Sequence, residues 1–213
     1  MTDSQTCPSG HLKLAVLLSG SGRTLQNIAD CINAGKLNAQ ITTVISSQPD
    51  VYGLQRASDL NLPTHIIRRK DYADVQAFAK ANWEIVRQTG VDYVCLAGYM
   101  TLLPIAPDFV NRVINIHPAL LPNFGGKGMF GHHVHEAVIA HGCKVSGCSV
   151  HFCDDNYDTG PIIVQRTCPV LADDDAEALA DRVFEQETLA YIQALQALSQ
   201  GRVTLDGQRA LVR

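Results

Sequence analysis

Charge is scarce in this chain of 213 residues. Asp, Glu, Lys and Arg together make up 18%, and the formal net charge is −4. The basic residues are scattered and form no stripe, which sets nucleic acid aside as a partner. No apolar run approaches the length of a membrane span. Residues 1–11 are polar, carry Pro8 and Gly10, and lack the apolar core of a secretory signal. They read as a disordered lead-in. No internal repeat, low-complexity tract or linker breaks the remainder, so residues 12–213 read as one domain. Cysteine, by contrast, is present seven times. An odd count scattered through apolar stretches reads as reduced thiols in a cytoplasmic protein, not as a disulfide framework. Cys143, Cys148 and Cys153 do not have C-x2-C spacing, so no structural zinc is expected there.

Hydrophobic residues make up 46% of the chain, enough for a sizeable core. Leu12 to Leu18 is an apolar run closed by Ser19-Gly20-Ser21-Gly22, which predicts a buried first strand. A helix follows, with Thr24 as its expected N-cap and Leu25, Ile28, Ala29 and Ile32 as its apolar stripe. Further strands are expected at Gln40–Ile45, Pro63–Ile67, Tyr93–Ala97 and Val113–Ile116, with helices at Tyr52–Leu60 and Tyr72–Gln88. Strands alternating with helices at this spacing predict an α/β fold: a Rossmann-like, mostly parallel central sheet flanked by helices. The second half differs. Ser146–Phe152 and Pro161–Val170 have too little chain between them for a crossover helix, so they are expected to pair antiparallel. Asp173, Asp174 and Asp175 open a long helix, and Val203–Val212 reads as a hairpin turning at Asp206-Gly207.

The richest stretch runs from Val113 to Pro122. A strand ends there in Asn115, Ile116 and His117, and Pro118 stops its regular continuation. Alternation sends Asn115 and His117 to one face. An amide donor beside a titratable ring suits polarising a carbonyl and moving a proton. A second stretch, Ser19-Gly20-Ser21-Gly22-Arg23-Thr24, puts small residues between a strand and a helix, where backbone N–H groups approach an anion. It lacks the third glycine of a dinucleotide fingerprint and the lysine of a P-loop, which favours a single phosphomonoester. The acidic loop 154–161, together with His151, could bring a carboxylate to Asn115 and His117 and hold that imidazole charged. Gly98 to Leu103 could form an apolar lip for a flat heteroaromatic ring. His132, His133 and His135 are close in sequence, but on a helix they point in different directions and are not expected to hold a metal.

Taken together, these stretches resemble the folate-dependent formyltransferases. The resemblance runs from Leu12 to about Arg209. It rests on the sequence at 18–26, Leu-Ala-Gly-Tyr-Met at 96–100, Asn-Ile-His-Pro-Ala-Leu-Leu-Pro at 115–122, Ser-Val-His-Phe at 149–152, Asp-Thr-Gly-Pro-Ile-Ile at 158–163 and Glu185-Gln186-Glu187. It implies transfer of a formyl group from 10-formyltetrahydrofolate, a co-substrate, to the amine of glycinamide ribonucleotide (GAR), a purine precursor. Asn115, His117 and Asp158 would be catalytic. Gly20, Ser21, Gly22, Arg23 and Thr24 would hold the GAR phosphate, and Glu187 its ribose. Met100, Thr101, Leu102, Leu103, Asn115, Phe152, Asp154 and Asp158 would form the folate pocket. No metal, nucleic acid or membrane is implied, and a monomer or a homodimer would serve.

The chain departs from common relatives in three places. Thr101 stands where many have arginine, Thr24 where they often have asparagine, and 123–133 is longer and richer in glycine. That segment reads as a mobile lid, with Lys127 within reach of a phosphate or carboxylate. Rival readings are a formyltetrahydrofolate deformylase, a methionyl-tRNA formyltransferase, a sugar-nucleotide formyltransferase and a non-catalytic phosphometabolite binder. The first two carry extra domains for which this length leaves no room. The Ser-Gly-Ser-Gly loop with Glu187 favours a ribose phosphate over a sugar nucleotide. A mere binder has no need of Asn115, His117 and Asp158 together.

Overall fold

Strand β2, Leu12–Leu18, is apolar at every position but Lys13 and buried at every position but Lys13. Only a strand covered on both faces is built this way. Its side chains alternate between two cores. Leu14, Val16 and Leu18 enter one, and Ala15 and Leu17 enter the other. The computed structural model describes Gln5, Thr6 and residues 8–213. In chain order, β1 is Gln5–Thr6, followed by β2, α1 (Arg23–Asn33), β3 (Ala39–Ser46), α2 (Tyr52–Asp59), β4 (Thr64–Ile66), α3 (Val75–Gln88), β5 (Tyr93–Leu96) and β6 (Val113–His117). Then come α4 (His132–Ala140), β7 (Val145–Phe152), β8 (Ile162–Pro169), α5 (Ala176–Ser199), β9 (Val203–Asp206) and β10 (Arg209–Val212).

The central sheet has seven strands in the order β4-β3-β2-β5-β6-β7-β8. Pairing is parallel from β4 to β6 and antiparallel from β6 through β7 to β8. This bears out the expected fold, antiparallel second half included. One core packs α1 and α5 on the sheet through Leu25, Ile28, Leu179, Val183, Tyr191 and Leu195. The other packs α3 through Phe78, Trp83 and Val86. The terminal hairpin also forms, with Asp206 opposite Arg209. The six described cysteines are free thiols.

Local expectations fail in three places, each for a physical reason. Thr24 does not cap α1. The cap is Gly22 in the left-handed region, and no side chain closes the helix start. Helix α3 begins three residues later than predicted, because Asp74 accepts from Ala77 N at 2.8 Å and caps it there. The lead-in is tied down where it is described. Gln5–Thr6 pairs with β9, Tyr93 donates its hydroxyl to Pro8 O at 3.0 Å, and Gly10 N donates to Ser199 O at 2.7 Å. The expected disorder of residues 1–4 and 7 lies outside the described residues.

Candidate active site

From β2 the sheet grows one way to β3 and β4 and the other way to β5 and β6. The chain leaving β2 and the chain leaving β5 therefore part at the C-terminal edge, which is where open α/β sheets bind ligands. A cavity of about 410 Å³ opens there. Ser19 spans the parting. Its N–H donates to Gly98 O at 3.1 Å, and its Oγ accepts from Met100 N at 2.8 Å.

One end of the cavity is lined by Gly20, Ser21, Gly22, Arg23 and Thr24. Gly22 has φ 72, and a Cβ there would meet Gly53 Cα at 2.6 Å, so α2 packs against bare backbone. Gly53 N donates to Gly20 O at 3.0 Å and Arg56 Nε to Ser21 O at 3.1 Å, which fixes the turn from behind. With no side-chain cap, the first N–H groups of α1 remain free to meet an anion. The Arg23 guanidinium lies 3.7 Å over the Phe184 ring and 4.0 Å from Asp181. Among the described residues it is the only lysine or arginine lining the cavity. Glu187, on α5, lines the same end. Burial pushes its carboxyl up to about 7, and the Arg23 cation offsets part of that rise.

The other end is assembled from distant segments. Antiparallel pairing sets Asn115 opposite His151 across β6 and β7. His151 Nδ1 donates to Phe152 O at 2.8 Å, which leaves its Nε2 to accept from Asn115 Nδ2 at 3.3 Å. Asp158 reaches between two imidazoles: its Oδ1 is 3.6 Å from His151 Nε2 and its Oδ2 is 3.5 Å from His117 Nδ1. Oδ2 also accepts from Gly126 N at 2.9 Å, and His117 Nε2 meets Phe124 O at 2.7 Å. Both rings are buried, His117 4% and His151 2% exposed.

The charge state differs from the expectation. Burial depresses the His117 pKa below the ordinary imidazole value, and His151 adds to the effect. Asp158 and the Phe124 carbonyl only partly offset it. The ring is therefore neutral near pH 7. Asp158 stays ionised: burial raises its pKa, but the neighbouring His151 and His117 rings and the Gly126 N–H together lower it further. An acidic residue favours the charged ring and burial disfavours it, and at His117 burial is the larger effect.

Met100, Thr101, Leu102 and Leu103 line the cavity, with Met100 and Leu102 exposed at its mouth. Asp154 also lines it, but its carboxylate is engaged within its own loop, accepting from Asn156 N at 2.9 Å and Thr159 Oγ1 at 2.7 Å. Phe152, expected in the folate pocket, is fully buried in the core with Val150 and does not line the cavity. Asn115, His117, Asp158 and Glu187 line the cavity as expected, and Ile116 joins them where the strand ends. Among the described residues no group of three or more His, Cys, Asp or Glu side chains is arranged to hold a metal.

The Formyl transferase family pattern matches residues 12–195. The chain belongs to the formyl transferase family. It is 39% identical over 194 residues to a chloroplastic phosphoribosylglycinamide formyltransferase of Vigna unguiculata, covering 90% of this chain and 62% of that protein. It is 39% identical over 193 residues to the trifunctional purine biosynthetic protein adenosine-3 of Drosophila melanogaster, covering 89% of this chain and 14% of that one. The chain thus spans less than two thirds of these relatives. Among solved structures, glycinamide ribonucleotide transformylase 1 of Symbiobacterium toebii superposes with a TM-score of 0.89 at 38% identity, over 96% of this chain and 95% of that one.

The matched range takes in every cavity residue named above. Two histidines that the sequence placed beside other features also take a position in this site. His151 stood beside the acidic loop in sequence, and only the register of β7 against β6 brings it to Asn115. His135, on α4, is 4% exposed, lines the cavity and leaves Nδ1 without a partner. Burial, with His132 and His117 nearby, pushes its pKa down to about 4, so this ring too is neutral. No sequence signal separated it from its exposed neighbour His133.

Proposed function

We propose that this formyl transferase moves the formyl group of 10-formyltetrahydrofolate to the amine of GAR, yielding formyl-GAR and tetrahydrofolate. The observation that carries the reading is the pairing, in one cavity, of an uncapped helix start beside Arg23 with the Asn115–His117–Asp158 cluster. A dianionic phosphate is attracted to the first, and a ribose diol to Glu187. That anchoring places the amine at the second end, where holding two reactants together removes much of the barrier. The amine nitrogen attacks the formyl carbon, and the carbonyl electrons move onto oxygen. The Asn115 amide donates to that oxyanion. His117, neutral, takes the proton the amine sheds, and Asp158 stabilises the imidazolium. The tetrahedral carbon then releases N10, which leaves with a proton returned through His117, Asp158 and a water. No step calls for a metal.

The apolar lip at 100–103 would receive the pteridine, and residues 12–213 would act as a single catalytic unit in the cytoplasm, as monomer or homodimer. The test is to incubate the purified protein with 10-formyltetrahydrofolate, with and without GAR, and follow tetrahydrofolate. Release that depends on GAR supports the reading. Equal release with water alone would identify a deformylase instead.

A further inference from the structure

The segment after β6 touches the reaction centre with its main chain. Phe124 adopts φ 53, and its carbonyl lies 2.7 Å from His117 Nε2. A carbonyl oxygen only accepts, so Nε2 carries the proton of the neutral ring. Nδ1 is then a lone pair, 3.5 Å from Asp158 Oδ2. Two acceptors compete for one ring proton, a carbonyl at 2.7 Å and a carboxylate at 3.5 Å. The first has full hydrogen-bond geometry and the second lies at its limit. Two residues further on, Gly126 N donates to the same Oδ2 at 2.9 Å. A single bend of backbone thus grips the histidine and the aspartate from outside, while His151 and His135 face them from β7 and α4.

Gly125, between the two contacts, is what lets the bend lie so close. A Cβ there would fall 2.6 Å from Leu121 Cδ2 and 3.2 Å from Asp158 Cβ. We propose that the main chain of residues 124–126 is a positioning element of the reaction: it fixes His117 as the Nε2–H tautomer and so reserves Nδ1 for the proton leaving the substrate amine. In the other tautomer Nδ1 already holds a proton, and no ring lone pair is left beside Asp158. A carboxylate does the corresponding work for the histidine of serine hydrolases; here a peptide carbonyl does it, and the carboxylate is free to face the proton once it arrives. The proposal rests on the formyl-transfer reading for its chemistry but not for its geometry.

The test uses the full chain labelled with 15N-histidine, its His117 signals assigned by their loss in His117→Asn. Long-range 1H–15N correlations above the imidazole titration range should show a protonated Nε2 and a bare Nδ1 on His117. In Gly125→Ala the bend is pushed off. The tautomers should then mix, and kcat should fall by about tenfold or more, part of what a positioned proton acceptor supplies, with both KM values nearly unchanged. A wild-type spectrum with the proton on Nδ1 or averaged between the nitrogens overturns the proposal. So does a Gly125→Ala variant that loses kcat while keeping the wild-type tautomer, or one that raises KM alone. The wild-type spectrum needs neither substrate nor variant. It therefore gives an answer if Gly125→Ala does not fold, and separately from any failure of GAR-dependent formylation.

Discussion

The two ends of the cavity are built on different plans. The end proposed to hold phosphate is one regular strand–turn–helix unit, 12–33, and its working atoms are backbone N–H groups held from behind by Gly53 and Arg56. The end proposed to carry out the reaction draws on β6, β7, the loop at 158 and the bend at 124–126, and its working atoms are on side chains. A fixed charge can be met by a preformed dipole that never changes state. A proton in transit needs groups whose affinities answer one another, and those must come from segments that pack independently. The first end is rigid by local geometry, the second by mutual contact.

The largest expected effects lie at the reaction end. Asn115→Ala, His117→Ala and Asp158→Ala should each lower kcat on the order of a hundredfold or more, the scale of losing a donor to an oxyanion. Because the groups answer one another, the double and triple variants should lose little beyond the worst single one. Steady-state kinetics at saturating GAR checks this, and a single variant with near-full kcat removes its residue from the mechanism. The phosphate end should behave oppositely. Gly22→Val meets Gly53 and strains a left-handed φ, so it should raise the KM for GAR by about tenfold, typical of losing one positioned anion contact, with kcat and the folate KM little changed. A folate KM that rose instead would mean the two ends are reversed.

The pH profile separates the ends further. A neutral His117 whose pKa lies below the ordinary value predicts a kcat that holds through neutrality and falls on the acid side. A ring held charged would show the opposite limb, with kcat failing as the pH rises. The smallest effect concerns Glu187. Between its unfolded value of 4.5 and its folded value of about 7, the folded chain keeps a proton that the unfolded chain has lost. Stability from this group is therefore full below 4.5 and declines as the pH rises to about 7. Glu187→Gln should flatten that decline by on the order of 1 kcal/mol, about 2–4 °C in Tm. Thermal melts of both proteins across that window check it, and equal slopes would mean that the carboxyl titrates normally.

Much of this was legible in the sequence for an identifiable reason. The strands β2 and β5 are apolar runs, β6 opens as one, and β3 is rich in β-branched residues, patterns that suit a buried parallel sheet. Asn115 and His117 stood at the end of such a run, so their placement followed from strand geometry. Asp158 came from the resemblance, because nothing local aims an acidic loop. What could not be read depends on tertiary contact. The His117 charge is decided by burial, and the Asn115–His151 pair by register between segments 36 residues apart. The Gly22 cap depends on α2 packing against it, and the strand at Gln5–Thr6 on a hairpin at the far end of the chain.

Strand β7 keeps unbroken register with β6 from Ile114↔Phe152 to His117↔Ser149, while against β8 it slips between Val150 and His151. That asymmetry amounts to a parity rule for the reaction centre. Side chains on a strand alternate faces, so deleting one residue of β7 ahead of His151 would turn His151 away from Asn115, whereas deleting two would return a side chain to the same face. The edge strand β8 can absorb an odd change, since a slip there moves no cavity residue. Length variation in this half of the molecule is thus free on its outer side and confined to even steps on its inner one.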